Sequence, residues 1–316
     1  MNRDANKAPG LIQQISSTRR NARHFMADDR SPQILGQSKH QPTALAPSRV
    51  HYRIVGHRLT VLVIWLISDL TARPVTETFM TERDNVDPEE IEKFNDLAHR
   101  WWDTNGDFKP LHDINPCRLS YIQEKADLAA GPTLDVGCGG GILAESIARL
   151  GYDTTGIDMA EKALGVAKLH ALEDEVTVRY EASTAEAYAQ THAGKFRTVT
   201  CLEMLEHVTD YGETIKACAA LAQPGGDLFF STINRNPKAY VLLILGAEYV
   251  LNMLPRGTHE YSKFIKPSEL AHAIRVAGLE LQEIRGMSYN PVTRHAALND
   301  NTSANYIVHA KKPASV

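Results

Sequence analysis

The sequence predicts an α/β fold: a doubly wound, mostly parallel seven-stranded sheet, with helices at its N-terminal side and a helical insert as a lid. Three observations predict it. Short runs rich in β-branched and aromatic residues alternate with helical stretches across residues 133–310, the pattern of a sheet covered on both faces. The first run ends in a cluster of glycines, Gly137, Gly139, Gly140 and Gly141. The second ends in an acid, Asp158, 21 residues beyond Gly137. Ligands of such sheets sit beyond the carboxyl ends of the strands, so chemistry is expected in the loops that follow them.

Residues 1–79 read differently from the rest. They carry 11 Lys and Arg against 5 Asp and Glu, whereas residues 80–316 hold 23 against 33. Up to Arg58 the segment is rich in Arg, Ser, Gln, Pro and His, with too little apolar surface to offset the entropy of ordering it. The apolar run at 59–68 is too short to span a membrane, which takes roughly 20 residues. Three readings stand: a disordered extension translated from too early a start, an organelle transit segment, or a weak membrane-surface anchor. The folded domain is placed at residues 80–316.

Within that domain, Asp87-Pro88-Glu89-Glu90 supplies an N-cap, a proline at the first helical position and acids in the first turn. Helices are expected over 88–130. Strands are expected at 133–136, 153–158, 176–180, 197–202, 227–233, 279–284 and 304–310. The helices between them are placed at 141–150, 160–172, 211–222 and 267–277. No obvious helix separates the last two strands, which suits an antiparallel hairpin at the sheet edge.

Composition narrows the function. At 43% hydrophobic and 23% charged, the chain has the make-up of a soluble globular protein. The acidic body argues against nucleic acid as a partner, because phosphate binding needs a basic face. Cys117, Cys138, Cys201 and Cys218 form no CxxC pair, which fits a reducing compartment.

The loop Asp135-Val136-Gly137-Cys138-Gly139-Gly140-Gly141 lets a ligand approach backbone free of Cβ atoms. A pyrophosphate-binding GxGxxG turn would need glycine at position 142, where Ile142 stands. Asp135 also sits awkwardly beside a diphosphate and suits an ammonium group. Asp158 is placed to accept hydrogen bonds from two ribose hydroxyls. Together these features point to a nucleoside cofactor with a methionine moiety rather than a dinucleotide. A nicotinamide oxidoreductase is therefore the weaker reading.

Here the sequence resembles a known family. LDVGCGGG followed by GIDM resembles the first two motifs of class I S-adenosylmethionine-dependent methyltransferases, whose fold is Rossmann-like. Residues 85–124, 203–208 (EMLEHV), 224–235, 256–267 (RGTHEYSKFIKP) and 289–291 resemble the ubiquinone biosynthesis O-methyltransferases, and the likeness runs from Asn85 to Lys311. The resemblance implies methyl transfer from S-adenosylmethionine to a hydroxyl of a polyprenyl catechol and of 3-demethylubiquinol. It also implies cofactor contacts at Arg118, Gly137 and Asp158, joined by Gly139 and Asp135 of the same loop. Leu202 matches a position on the adenine side where relatives carry Met, a change that keeps volume and apolarity.

Glu203, Glu206 and His207 follow the strand at 197–202. Two carboxylates and an imidazole can hold Mg²⁺, and the resemblance implies that they do; a helix cap or substrate-orienting role is the alternative. Glu203 and His207 are the candidate catalytic residues, His207 as general base. The apolar stretch 240–254, flanked by Lys238 and Arg256, reads as a packed lid helix or as a segment dipping into a membrane surface. The resemblance favours peripheral membrane contact through 238–256, on the cytoplasmic side or, alternatively, on the matrix side of the mitochondrial inner membrane. It leaves room for association with other ubiquinone-pathway enzymes.

Overall fold

The computed structural model describes residues 85–239 and 261–314. The chain divides into two units, Met1–Thr76 and Glu77–Val316; all the described residues belong to the second. The expected membrane-contact stretch 238–256 lies almost wholly outside them. Among the described residues, no helix is long and apolar enough to cross a membrane.

The strands are β1 (Thr133–Val136), β2 (Thr154–Asp158), β3 (Arg179–Ala182), β4 (Phe196–Leu202), β5 (Ala222–Ile233), β6 (Glu280–Asn290), β7 (His295–Asn299) and β8 (Asn305–Lys311). They form one eight-stranded sheet ordered β3-β2-β1-β4-β5-β8-β6-β7. Every residue of β1 is buried, as a central strand covered by helices on both faces requires. The pairs β2–β3, β1–β2, β1–β4 and β4–β5 are parallel, whereas β5–β8, β6–β8 and β6–β7 are antiparallel. The order reverses between β1 and β4, and a crevice opens there at the strand ends.

The helices are α1 (Pro88–Leu97), α2 (Lys109–Lys125), α3 (Ile142–Arg149), α4 (Glu161–Glu173), α5 (Ala185–His192), α6 (Tyr211–Leu221) and α7 (Pro267–Val276), with a single helical turn at Pro237–Ala239. The start of α1 is as expected: Asp87 accepts from the Glu89 N–H at 3.1 Å, with Pro88 in the first turn. The core joins Leu134 and Val136 of β1 to Val199 and Cys201 of β4, Leu228 and Phe230 of β5, and Ile215 and Leu221 of α6. Fully burying such a side chain stabilises the fold by about 1.5–3 kcal/mol.

Three expectations need correction. The sheet has an eighth strand, β7, in a stretch (HAALN) poor in β-branched residues; its pairing with β6 supplies what propensity does not. The last strand is not at the edge, because β8 inserts between β5 and β6. And α5, short and alanine-rich, follows β3 where no helix was placed; Thr184 caps it, accepting from the Ala187 N–H at 3.1 Å.

Candidate active site

A cleft of about 1190 Å³, partly open to solvent, lies at the carboxyl ends of β1, β2 and β4. The glycine loop forms its floor. Gly137, Gly139 and Gly141 have φ of 71°, 51° and 87°, the left-handed region that side chains disfavour. A Cβ on Gly139 would lie 2.1 Å from the Trp101 ring, and one on Gly137 would lie 2.4 Å from Met204 Cγ. The loop is therefore glycine for conformation and for space at once.

Asp158 braces this loop. Its Oδ2 accepts from the Gly139 N–H at 2.7 Å and its Oδ1 from the Ala160 N–H at 2.8 Å. Each oxygen keeps a second lone pair. Burial raises its pKa, and the backbone donors oppose that rise. Asp135 is buried beneath the loop, accepting from Thr200 Oγ1 at 2.7 Å. Burial pushes its pKa up to about 7, against the pull of the Thr200 hydrogen bond and the Arg118 charge. A cation arriving beside it would restore the carboxylate.

Arg118 reaches the cleft from α2 and is itself buried. Its Nη2 stands 2.8 Å from Glu203 Oε1 in a buried ion pair, while Nε has no acceptor. Buried guanidinium donors without an acceptor are costly, and a planar carboxylate is the group that matches their fork. This guanidinium with its orphaned Nε, the acid beneath the loop and the Cβ-free cradle together fit an amino-acid nucleoside. Leu202 lines the same cleft.

The acceptor side is built differently. Glu203 is the residue after β4 and has φ 53°, a strained conformation for a non-glycine residue. It is held there from all sides: Ser231 Oγ donates to Oε1 at 2.7 Å, Asn305 Nδ2 donates to Oε2 at 2.9 Å, and its own N–H reaches the Ser231 carbonyl at 3.0 Å. Glu206 is buried, with Oε2 accepting from Thr232 Oγ1 at 2.7 Å and Oε1 left without a donor. Burial and the nearby Glu203 charge raise its pKa to about 8. His207 Nδ1 lies 2.9 Å from Glu90 Oε2 on α1, and its ring meets Phe94 edge-on at 5.1 Å. Burial works to raise Glu90, but the His207 contact and neighbouring lysines bring its carboxyl down to about 2.

The structure thus does not gather Glu203, Glu206 and His207 into one ligand set. Glu203 faces Arg118, Ser231 and Asn305; Glu206 faces Thr232; His207 faces Glu90. As arranged, they do not fit a divalent cation. Among the described residues, the group whose ligand atoms all lie within 4.8 Å of one another is Glu145, His170 and Asp174. There the Arg149 guanidinium already pairs with Glu145 and Asp174.

The sequence reading gave no role to several cleft residues. Trp101 and Phe94 line the N-terminal wall, Glu90 partners His207, and Ser183 and Thr184 close the far end after β3. The paired tryptophans were the available signal, since two adjacent indoles in an otherwise polar stretch ask for burial.

Residues 116–284 match the model of a family described as "Methyltransferase domain". In fold the chain is similar to magnesium protoporphyrin IX methyltransferase from Synechocystis PCC 6803, solved with bound SAH, with a TM-score of 0.53, 19% identity, and coverage of 70% of this chain and 97% of that one. The fold and the family match together define a class I methyltransferase. Finer resolution comes from the curated relatives. The chain is 59% identical over 231 residues to the ubiquinone biosynthesis O-methyltransferase of Aromatoleum aromaticum, covering 73% of this chain and 99% of the relative. It is 60% identical over 233 residues to that of Saccharophagus degradans, with coverage of 73% and 99%. The chain belongs to the ubiquinone biosynthesis O-methyltransferase family.

Proposed function

We propose that residues 80–316 transfer the methyl group of S-adenosylmethionine to a hydroxyl of a polyprenyl catechol and of 3-demethylubiquinol. The observation that carries this reading is the buried Arg118 guanidinium, whose Nε lacks an acceptor beside a glycine cradle. Arg118 takes the cofactor carboxylate, Asp135 its ammonium and Asp158 the ribose hydroxyls, while Leu202 lines the adenine side. Gly137 and Gly139 admit the chain of the cofactor without a Cβ in the way. The bound cofactor supplies an already activated sulfonium methyl. What remains for the protein is to orient the acceptor oxygen in line, exclude water and take its proton. His207, oriented by the anionic Glu90, is the base in this reading, and Glu203 shapes the acceptor wall.

We assign no step to a magnesium ion, because Glu203, Glu206 and His207 each have other partners. Peripheral membrane contact through 238–256 suits an acceptor with a prenyl tail. The site would then face the membrane from the cytoplasm, or from the matrix in a mitochondrial setting, with neighbouring pathway enzymes as partners. A second acceptor class, other small phenols or lipids, is separated by one assay. Labelled methyl transfer is measured to a demethylubiquinol analogue and to unrelated phenols, each with and without chelator. Transfer confined to the quinol, and indifferent to chelator, is the expected result. Equal transfer to all phenols would overturn the substrate assignment, and loss under chelator would restore the metal.

A further inference from the structure

The glycine loop is also held by the two adjacent tryptophans that precede α2. Trp101 lies against Gly139 and Gly140 so closely that a Cβ on Gly140 would come within 2.2 Å of its ring. Trp102, the next residue, turns the other way and donates its indole Nε1–H to the Gly140 carbonyl at 3.0 Å. Its ring is stacked on His170 of α4, with centroids 3.4 Å apart and planes 4° from parallel. His170 Nδ1 in turn sits 3.0 Å from both carboxylate oxygens of Glu145. Glu145 is fully buried in the first turn of α3, the helix that the loop leads into. His112 of α2 fixes the other side of the corner, with Nε2 2.8 Å from the Trp101 carbonyl.

We infer that Trp102 and His170 are positioning residues for the cofactor, setting the Gly140 peptide through the indole N–H and holding that indole in place by the stack. The physical reason lies in the loop's composition. Glycines visit many backbone conformations, so a run of them has no preferred shape of its own. Asp158 holds the Gly139 N–H, and the Gly140–Gly141 peptide donates its N–H to the Cys138 carbonyl at 2.9 Å on one side. The Gly140 carbonyl is oriented by Trp102. Without that bond the peptide keeps one anchor of two, and the adjoining Gly139, which lines the cleft, is less well set before the cofactor arrives, which weakens affinity and leaves the methyl-transfer step untouched. Glu145 backs His170, and Arg149 balances the charge of Glu145.

The inference rests on the cofactor reading above, and the test keeps the two apart. Calorimetry with S-adenosylhomocysteine on the full-length protein comes first; if the wild type does not bind it, the cofactor reading fails. Given binding, Trp102→Phe keeps a ring against His170 and removes the donor. Its Kd is expected to rise roughly three- to tenfold, the worth of one neutral hydrogen bond. KM for S-adenosylmethionine should rise in parallel, with kcat at saturating cofactor within about twofold of wild type. His170→Ala should weaken binding by a similar factor, and His170→Phe, which restores a stacking face, should recover most of it. Kd unchanged in both Trp102→Phe and His170→Ala overturns the inference. So does a fall in melting temperature and kcat with KM unmoved, because that is what plain packing would give. Should Trp102→Phe fail to fold, the contrast between His170→Ala and His170→Phe decides alone.

Discussion

The two walls of the cleft teach different lessons about how sequence encodes chemistry. The cofactor wall is local: Asp135, the glycine loop and Asp158 lie within one strand–turn–helix–strand unit, and Asp158 is held by the N–H groups of Gly139 and Ala160. The acceptor wall is compact in sequence and dispersed in partnership. Glu203, Glu206 and His207 span five positions, yet they turn toward Asn305, Thr232 and Glu90, the last 117 residues away. A motif fixes which groups are present. Its distant partners decide what those groups can do.

The largest effects are expected where that local wall meets its one distant contributor. Arg118→Ala removes the carboxylate's partner and leaves Glu203 without its nearest cation. Losing one member of a buried charge pair costs about 2–5 kcal/mol, or 30-fold and upward in S-adenosylhomocysteine Kd. Arg118→Lys should fall between, since it keeps the charge and loses the planar fork. A calorimetric Kd within threefold of wild type for Arg118→Ala would place the carboxylate elsewhere. Next comes Gly139→Ala, which puts a Cβ where φ is 51° and the Trp101 ring is 2.1 Å away. A left-handed alanine alone costs about 1–2 kcal/mol of stability, and the clash with Trp101 also displaces the loop from the cofactor, so affinity should fall measurably as well. Gly151→Ala is the control: φ is 89° there too, but nothing lies within 4 Å of the added atom. It should lower the melting temperature and leave cofactor affinity alone.

The same contrast explains what could be read in advance. The parallel half of the sheet was legible because β1, β2 and β4 are short runs rich in β-branched residues that end at a glycine or an acid, with helical stretches between them. Beyond β5 legibility fell. β7 exists because β6 offers it an edge, and β8 lies between β5 and β6 because of pairings across tens of residues. In the site, Asp135, Gly137, Gly139 and Asp158, which the pattern brought out, line one cleft with Leu202 and Arg118, which only the resemblance singled out. Glu203, Glu206 and His207, grouped by spacing as metal ligands, are not gathered into one set in this arrangement. Spacing cannot show that Asn305 and Ser231 already hold one carboxylate while Glu90 faces the imidazole.

Acidity offers a subtler probe of the cofactor wall. Asp135 has its pKa pushed up to about 7 by burial, so below that pH the free protein carries a proton there. An ammonium group beside it favours the carboxylate, and binding must then release the proton. Affinity for S-adenosylhomocysteine should therefore weaken as pH falls below about 7, by up to tenfold per unit for one linked proton. Asp135→Asn should bind more weakly throughout and lose this slope between pH 5 and 7. A wild-type Kd flat across that range would mean that the ammonium sits away from Asp135.

The smallest expected effect belongs to the acceptor wall and is read as stability. Glu206 has its pKa raised from 4.5 to about 8 by burial and by Glu203. Between those values the folded protein keeps a proton that the unfolded chain gives up. The stability this contributes is fully present below about pH 4.5 and is lost as pH rises through about 8. Asp135 and Asp158, also raised, act with the same sign, so wild-type melting temperature should fall from pH 5 toward pH 8. Glu206→Gln keeps an acceptor for Thr232 and cannot ionise. Its melting temperature should drop less over that interval, by about 2–4 °C for each kcal/mol of the difference. Magnesium sharpens the comparison. A cation held by Glu206 would favour its carboxylate and raise the wild-type melting temperature at pH 8 but not that of Glu206→Gln, whereas the arrangement of Glu203, Glu206 and His207 seen here predicts no response in either protein.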